Sequence, residues 1–524
     1  AMDAITTGDN NVAFGNGALG ANTTAGKNTA VGTGALTANT TGDLNTALGY
    51  NALATNVQGD RSVAIGYQAL VTQNPSGNAD MYNTAVGFDS MNATTTGASN
   101  TAVGGSSLAT NTTGGSNVGV GYGALQVNTT ASYNTAIGRS ALVANTTGAK
   151  NTSSGSSSLR YNTTGAENVA NGYRALYANT TAANNTASGF QSLYANTTGA
   201  SNTAVGSYAL DANTTGADNT AFGMHSLGGN TTAAYNTAIG RDALKATTTG
   251  AANTAVGRLA LTTNTTGHSN TAVGYNSLRY NQNAVGNTAV GHTALQANTT
   301  ASNNTAVGYQ SLLVNTTGTR NVALGAEALT TNTTAGYNVA IGAGSLKLNT
   351  TGAGNTALGD YSASANTTGT LITAIGSYAL GANTTGGSST AVGDESLRAN
   401  TTGANNTAVG RRSLKANTTA SNNTAVGSYT LIANTTGANN TAVGNDCMDS
   451  NTEGDNNVAM GVDALQANTT ADGNTAVGFA AMAANTTGTN NAALGANALG
   501  TNTTGDSNTA TGVSALQNTT TGDN

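Results

Sequence analysis

A 17-residue unit, Asn28-Thr-Ala-Val-Gly-Thr-Gly-Ala-Leu-Thr-Ala-Asn-Thr-Thr-Gly-Asp-Leu44, recurs through almost the whole chain. With Asn28 as position 1, copies begin at residues 11, 28, 45 and 62, then every 17 residues from 83 to 508, thirty in all. A strict short period kept over hundreds of residues predicts a solenoid, in which each copy is one coil stacked on the last and no coil folds alone. Residues 1–10 carry only the tail of a unit, and 11–524 read as one continuous solenoid. The coil at 62–82 is longer by four residues and holds the single proline, Pro75, which is most simply a surface bulge. Neither end shows a capping sequence, so we expect either a longer parent chain or ends that stack on other chains.

Composition matters mainly for what it excludes. Charged residues are 7% of the chain, against about 25% in ordinary globular proteins. Without the period, a sequence so rich in Asn, Thr, Ala and Gly would pass for disordered low complexity. The net charge of −6 is scattered, with no basic stripe for nucleic acid or an anionic membrane. No apolar run is long enough to insert into a membrane. The lone Cys447 has no intrachain disulfide partner and reads as a small substitution for the Ala or Ser usual at its position.

Comparison of the thirty copies assigns a role to each position. Gly at position 5 is present in every copy, which predicts a turn needing positive φ or a close approach of neighbouring coils. Positions 2 to 4, mostly Thr-Ala-Val, read as a β-strand. Positions 7 to 11 read as a second short strand, with Leu at position 9 in 26 copies facing the interior. Asn-Thr-Thr-Gly-Ala at positions 12 to 16 makes the wider return loop, and Asn and Thr at positions 1, 12, 13 and 14 are expected to form side-chain ladders.

Residues two apart share a side of a strand, so the aliphatic residue at position 4 and the Thr or Val at position 2 are expected inside, together with the leucine of position 9. Position 3 then points outward, although it is Ala in all copies except Gly119 and Ser153. A solvent face does not normally exclude bulk and charge so consistently. Ala30, Ala47, Ala64, Ala85 and Ala102 and their counterparts are therefore predicted to be an oligomer face, buried against another chain. The expected fold is all-β, a parallel β-solenoid in the form of a flattened β-roll of about thirty coils.

The pattern Ser62-Val-Ala-Ile-Gly-Tyr-Gln-Ala-Leu70 resembles the YadA-like head repeat of trimeric autotransporter adhesins, and is similar to repeat arrays of phage tail-fibre proteins. The resemblance implies a left-handed parallel β-roll, a homotrimer and surface adhesion or receptor binding, hence an extracellular, cell-surface or virion location.

Chemistry is sparse. His225, His268 and His292 sit in different coils without carboxylate or Cys at ligand spacing, and no phosphate loop or calcium-repeat spacing occurs. We expect no catalysis, metal or cofactor. The Asn-x-Thr triplets match the glycosylation sequon, but ladder formation explains them without sugar. One irregularity stands out: position 4 turns polar in three successive coils, at Ser154, Asn171 and Ser188, where Arg160, Tyr161, Tyr173, Arg174, Tyr177, Phe190 and Tyr194 also cluster. These side chains form a candidate platform for a glycan or a lateral contact. The leading expectation is a structural or adhesive extracellular fibre that oligomerises as a trimer or end-to-end filament. An ice-binding solenoid is the alternative, provided that Thr at position 2 or 14 lies exposed on a flat face.

Overall fold

The computed structural model describes residues 2–523, in two compact units that divide between Thr266 and Gly267. Unit 1 carries strands β1 (Val12–Phe14) to β15 (Thr254–Val256), and unit 2 carries β16 (Thr271–Val273) to β30 (Thr509–Thr511), one three-residue strand per coil. Each unit is a parallel β-solenoid without helix among the described residues. Equivalent positions lie in register, as where β2 (Thr29–Val31) pairs with β3 (Thr46–Leu48) through Thr29 and Thr46, Ala30 and Ala47, and Val31 and Leu48. The long coil keeps this register, with Val63 opposite Thr84. Its extra residues leave the stack as a bulge, while Gln73 stands in for the usual Asn and reaches Asn56 Oδ1 at 3.3 Å.

The expected second strand at positions 7 to 11 does not form. That segment is a run of tight turns, in which position 8 N–H donates to the position 5 carbonyl and position 12 N–H to the position 9 carbonyl, as in Ala35 to Gly32 and Asn39 to Leu36. Positions 7, 9 and 17 adopt left-handed backbone with residues other than glycine, for example Asn51 (φ 53°), Leu53 (φ 51°) and Arg61 (φ 57°). A left-handed non-glycine residue costs about 1–2 kcal/mol. The compensation is directional: inverting these residues aims their amides along the stack, so Asn51 N–H reaches Thr33 O (3.0 Å) below and Leu53 N–H reaches Ala69 O (3.0 Å) above.

The strand is turned over relative to expectation. Ala30, Ala47, Ala64, Ala85 and Ala102 are fully buried inside their own chain, and positions 2 and 4 face outward. The oligomer face predicted at position 3 is thus the inner wall of the coil. At Gly119, the one glycine there, the hydroxyl of Ser107 at position 8 of the preceding coil donates to Gly119 O at 2.9 Å, and a Cβ would lie 2.5 Å from that Oγ and 3.5 Å from Leu108 Cγ, so the strand wall sits close against positions 8 and 9. The interior between strand and turn is one methyl wide on the strand side, and Leu at position 9 fills the rest. Leu516, in the last described coil and covered from one side only, is 49% exposed, whereas the other Leu residues at that position are fully buried.

Beyond this narrow apolar strip the core is polar. Asn at position 1 accepts from the backbone N–H of the next coil's Asn and donates to the carbonyl of position 15: Asn28 accepts from Asn45 N (2.8 Å) and donates to Gly42 O (2.9 Å). Asn at position 12 donates to the same carbonyl, Asn39 to Gly42 O at 3.0 Å, and to the Asn below it. Two buried amide ladders therefore converge on one carbonyl per coil. Thr at position 13 adds a third ladder, with Thr163 Oγ1 donating to Thr180 O at 3.1 Å. Buried polar groups carry little penalty once paired in this way.

Position 5 meets both sequence-based requirements. Gly189 has φ 143°, and a Cβ on it would lie 2.5 Å from Gly206 O. At position 15 the backbone is not left-handed, and Ala25, Ala131 and Ala182 occupy it in other coils.

Candidate functional site

Outward ranks are where this scaffold can act, because every inward position is committed to the stack. In-register coils place equivalent side chains one rung apart, at roughly 4.8 Å, so aromatic residues in successive coils are forced to stack. Tyr50, Tyr67 and Phe88 do so with ring centroids 5.3 and 5.2 Å apart, and Tyr361 stacks on Tyr378 at 5.5 Å. Stacking by itself therefore marks no site.

The predicted aromatic patch in unit 1 differs in having two such ladders side by side. At position 6, Tyr173 stacks on Phe190 (5.6 Å, 19°). At positions 10 and 11, Tyr161 meets Tyr177 edge-on (5.1 Å) and Tyr177 stacks on Tyr194 (5.1 Å, 9°). Arg174, at position 7 between the ladders, lies 5.1 Å from the Tyr173 ring centre and 5.3 Å from that of Tyr177. Its Nε is buried without a hydrogen-bond partner, so the two ring faces and the rest of the guanidinium must offset the lost hydration. Arg160 packs on Tyr161 at 5.8 Å. A hydrogen bond with Tyr161, followed by burial, pushes the Tyr177 phenol above its ordinary pKa.

All seven predicted patch residues are thus brought together on one side of unit 1. Ser154, Asn171 and Ser188 lie on the outward strand face, where polar residues need no partner within the stack. Because stacked rings spend their faces on one another, the patch offers edges and hydroxyls outward. Two members escaped the sequence reading: Phe190 continues to Tyr208 (5.2 Å, edge-on), and Tyr208 to His225 (5.1 Å, 7°). The change from position 6 at Phe190 to position 7 at Tyr208 hid the continuity.

A second surface feature came from the reversed strand. Position 4 is aliphatic or aromatic in 26 copies and now points outward, so Ile137 (45% exposed), Ile239 (41%), Leu324 (45%) and Leu358 (43%) belong to apolar ranks running up each unit. Thr or Val fills position 2 beside it in every copy but one, which has Ala492, and neither position carries a charge in any copy. The uncharged face is interrupted in unit 1 only by Ser154, Asn171 and Ser188, next to the aromatic patch.

Among the described residues no group of three or more His, Cys, Asp or Glu could hold a metal ion, and no helix is long and apolar enough to cross a membrane. Cys447 is fully buried and burial pushes its thiol up to about 12. The densest charge cluster is in unit 2, where a hydrogen bond from Lys415, with Arg398 and Arg412 alongside, holds Glu395 down to about 2. These are surface ion pairs that tie adjacent coils. No protein-family model matches the chain, and no curated protein matches it either.

Proposed function

We propose that the protein is a structural and adhesive fibre of the cell exterior or of a virion, in which the uncharged strand face associates with other copies and the aromatic patch supplies adhesion. The observation that supports this is the outward rank at position 4. Monomeric soluble proteins rarely expose contiguous apolar patches beyond a few hundred Å², and sheet faces meant for water normally carry charge. Here a mainly β-branched face without a single charge recurs at constant spacing, so two copies can align rung for rung, as in a dry zipper between sheets. The trimer implied by the adhesin resemblance is the first stoichiometry to test. Light-scattering mass and electron microscopy should show a multiple of the 51.0 kDa chain, reduced to one chain by Ile137→Lys with Ile239→Lys. A wild-type protein that stays at one chain mass would sink this reading.

A second reading is supported by one observation. Thr at position 2, present in 22 copies, points outward rather than inward, which is the condition an ice-binding solenoid requires. Val at position 2 in seven other copies, Ala492 in one, and bulk varying from Val31 to Phe222 in the neighbouring rank make the hydroxyl array irregular. Thermal hysteresis of the purified protein tests it, and its absence would remove it.

A further inference from the structure

The lane of position-10 side chains in unit 1 runs Tyr177, Tyr194, Asp211, Gly228 and Lys245 on consecutive coils, tied by ladder bonds such as Ala195 N to Asp211 O (2.9 Å) and Gly229 N to Lys245 O (2.7 Å). The coil starting at Asn219 is the one copy with glycine at both positions 10 and 11, Gly228 and Gly229. Removing two side chains from a continuous rank opens a notch of ≈ 460 Å³, lined by Asp211, His225, Gly228, Gly229, Lys245 and Thr262 among others. That volume lies in the range of small-ligand sites.

The lining chemistry selects a ligand class. Asp211 is half-buried; burial raises its pKa, opposed by its own and Ala212's backbone N–H groups and by His225. No ion pair engages its carboxylate among the described residues, whereas Lys245 is held 3.1 Å from Asp242. The notch therefore offers a strong acceptor, no uncommitted cation for an anionic ligand, and a mainly apolar wall. His225 ends the Phe190, Tyr208, His225 ring run, since the next coil places Asp242 at that rung. A carboxylate that accepts from adjacent hydroxyls, beside a ring at the end of a stack, suits a neutral polyol with one apolar C–H face.

We propose that this notch binds a single pyranose residue of a neutral glycan, through Asp211 to vicinal hydroxyls and His225 to the sugar's C–H face, with the glycan continuing along the Tyr194 and Tyr177 rungs. The proposal deepens the adhesive reading and rests on it for the polymeric ligand; the sugar subsite stands on the notch itself.

The test uses the full chain and four probes, the methyl glycosides of glucose, galactose and mannose and N-acetylglucosamine, titrated to about 50 mM by saturation-transfer NMR, because a single-sugar site falls in the millimolar range. Gly228→Gln fills the notch with the residue that position 10 carries at Gln126, Gln296 and Gln466, so the coil keeps a sequence the fold already accepts. Asp211→Asn keeps the shape and removes the charge. Gly381→Gln makes the same change at position 10 in unit 2 and is the control. The expected result is binding of at least one probe, weakened about tenfold or more by Gly228→Gln and by Asp211→Asn, and unchanged by Gly381→Gln. Absence of binding by all four probes, or binding indifferent to both notch variants, would overturn the proposal. Light-scattering mass on the same samples reads the association face separately, so failure of the sugar site and failure of the fibre reading are distinguishable.

Discussion

Asn151 tests whether the buried amide ladder holds the solenoid together. Its Nδ2 donates to Gly165 O at 2.9 Å and to Asn134 Oδ1 at 3.3 Å, and its Oδ1 accepts from Asn168 N at 3.0 Å and Asn168 Nδ2 at 3.1 Å. In Asn151→Ala, Gly165 O keeps its bond from Asn162 (2.9 Å) and Asn134 Oδ1 keeps the Asn151 backbone N–H (2.9 Å). Asn168 N–H, however, loses its acceptor in a buried site. An orphaned buried donor costs about 1–3 kcal/mol, and the cavity left by the missing amide brings the expected loss to about 2–4 kcal/mol. Asn151→Ser should cost about 1 kcal/mol less, because Ser389 occupies the same position and its Oγ accepts Asn406 N–H at 3.1 Å. Asn151→Asp should be worst, since it sets a buried carboxylate against Gly165 O. A stacked array yields locally before it yields globally, so the assay is hydrogen exchange of peptides spanning 151–168. Protection there should fall roughly 30- to 700-fold in the Ala variant, at 1.4 kcal/mol per factor of ten. Equal protection in the Ser and Ala variants, or none lost in either, would refute the ladder argument.

Four further outcomes follow from the same geometry. Gly189→Ala, at φ 143° with its Cβ aimed at Gly206 O, should destabilise by about 3 kcal/mol or more, whereas Gly199→Ala at position 15, where the backbone is not left-handed and Ala occurs natively in other coils, should cost less even though its Cβ must displace Gly216 O, 2.2 Å away; urea midpoints of the pair decide. Glu395 is held well below its ordinary value of 4.5, so its ion pairs stabilise fully above that pH and are lost as pH falls towards about 2; Glu395→Gln should flatten the dependence of local exchange in that window and leave neighbouring patches unchanged. Cys447, protonated and buried, should resist a thiol reagent at pH 8 in the native protein and react readily in urea. Cys447→Ser should leave stability within about 0.5 kcal/mol, because Ser413 at the same position donates to Ala425 O (3.0 Å) as Cys447 does to Ala459 O (3.4 Å).

The period alone determined the parallel solenoid, the 17-residue coil, the strand at positions 2 to 4, the close approach at position 5 and the inward Leu at position 9, because a repeat that cannot bury itself alone has few ways to stack. The tertiary structure decided which way the strand faces. Thr-Ala-Val alternates equally well in either sense, and bulk suggested Val inside; the interior turned out too narrow for it, so Ala lines the wall and Val goes outward. The turns at positions 7 to 11 were illegible for a related reason. Left-handed backbone is ordinarily announced by Gly or Asn, yet here Leu53 and its counterparts adopt it because the bonds to coils above and below outweigh a local preference that sequence reading weighs alone. The seven patch residues were visible as a cluster, but the glycine notch beside them was not: an absent side chain becomes a site only when the coils on both sides supply its walls.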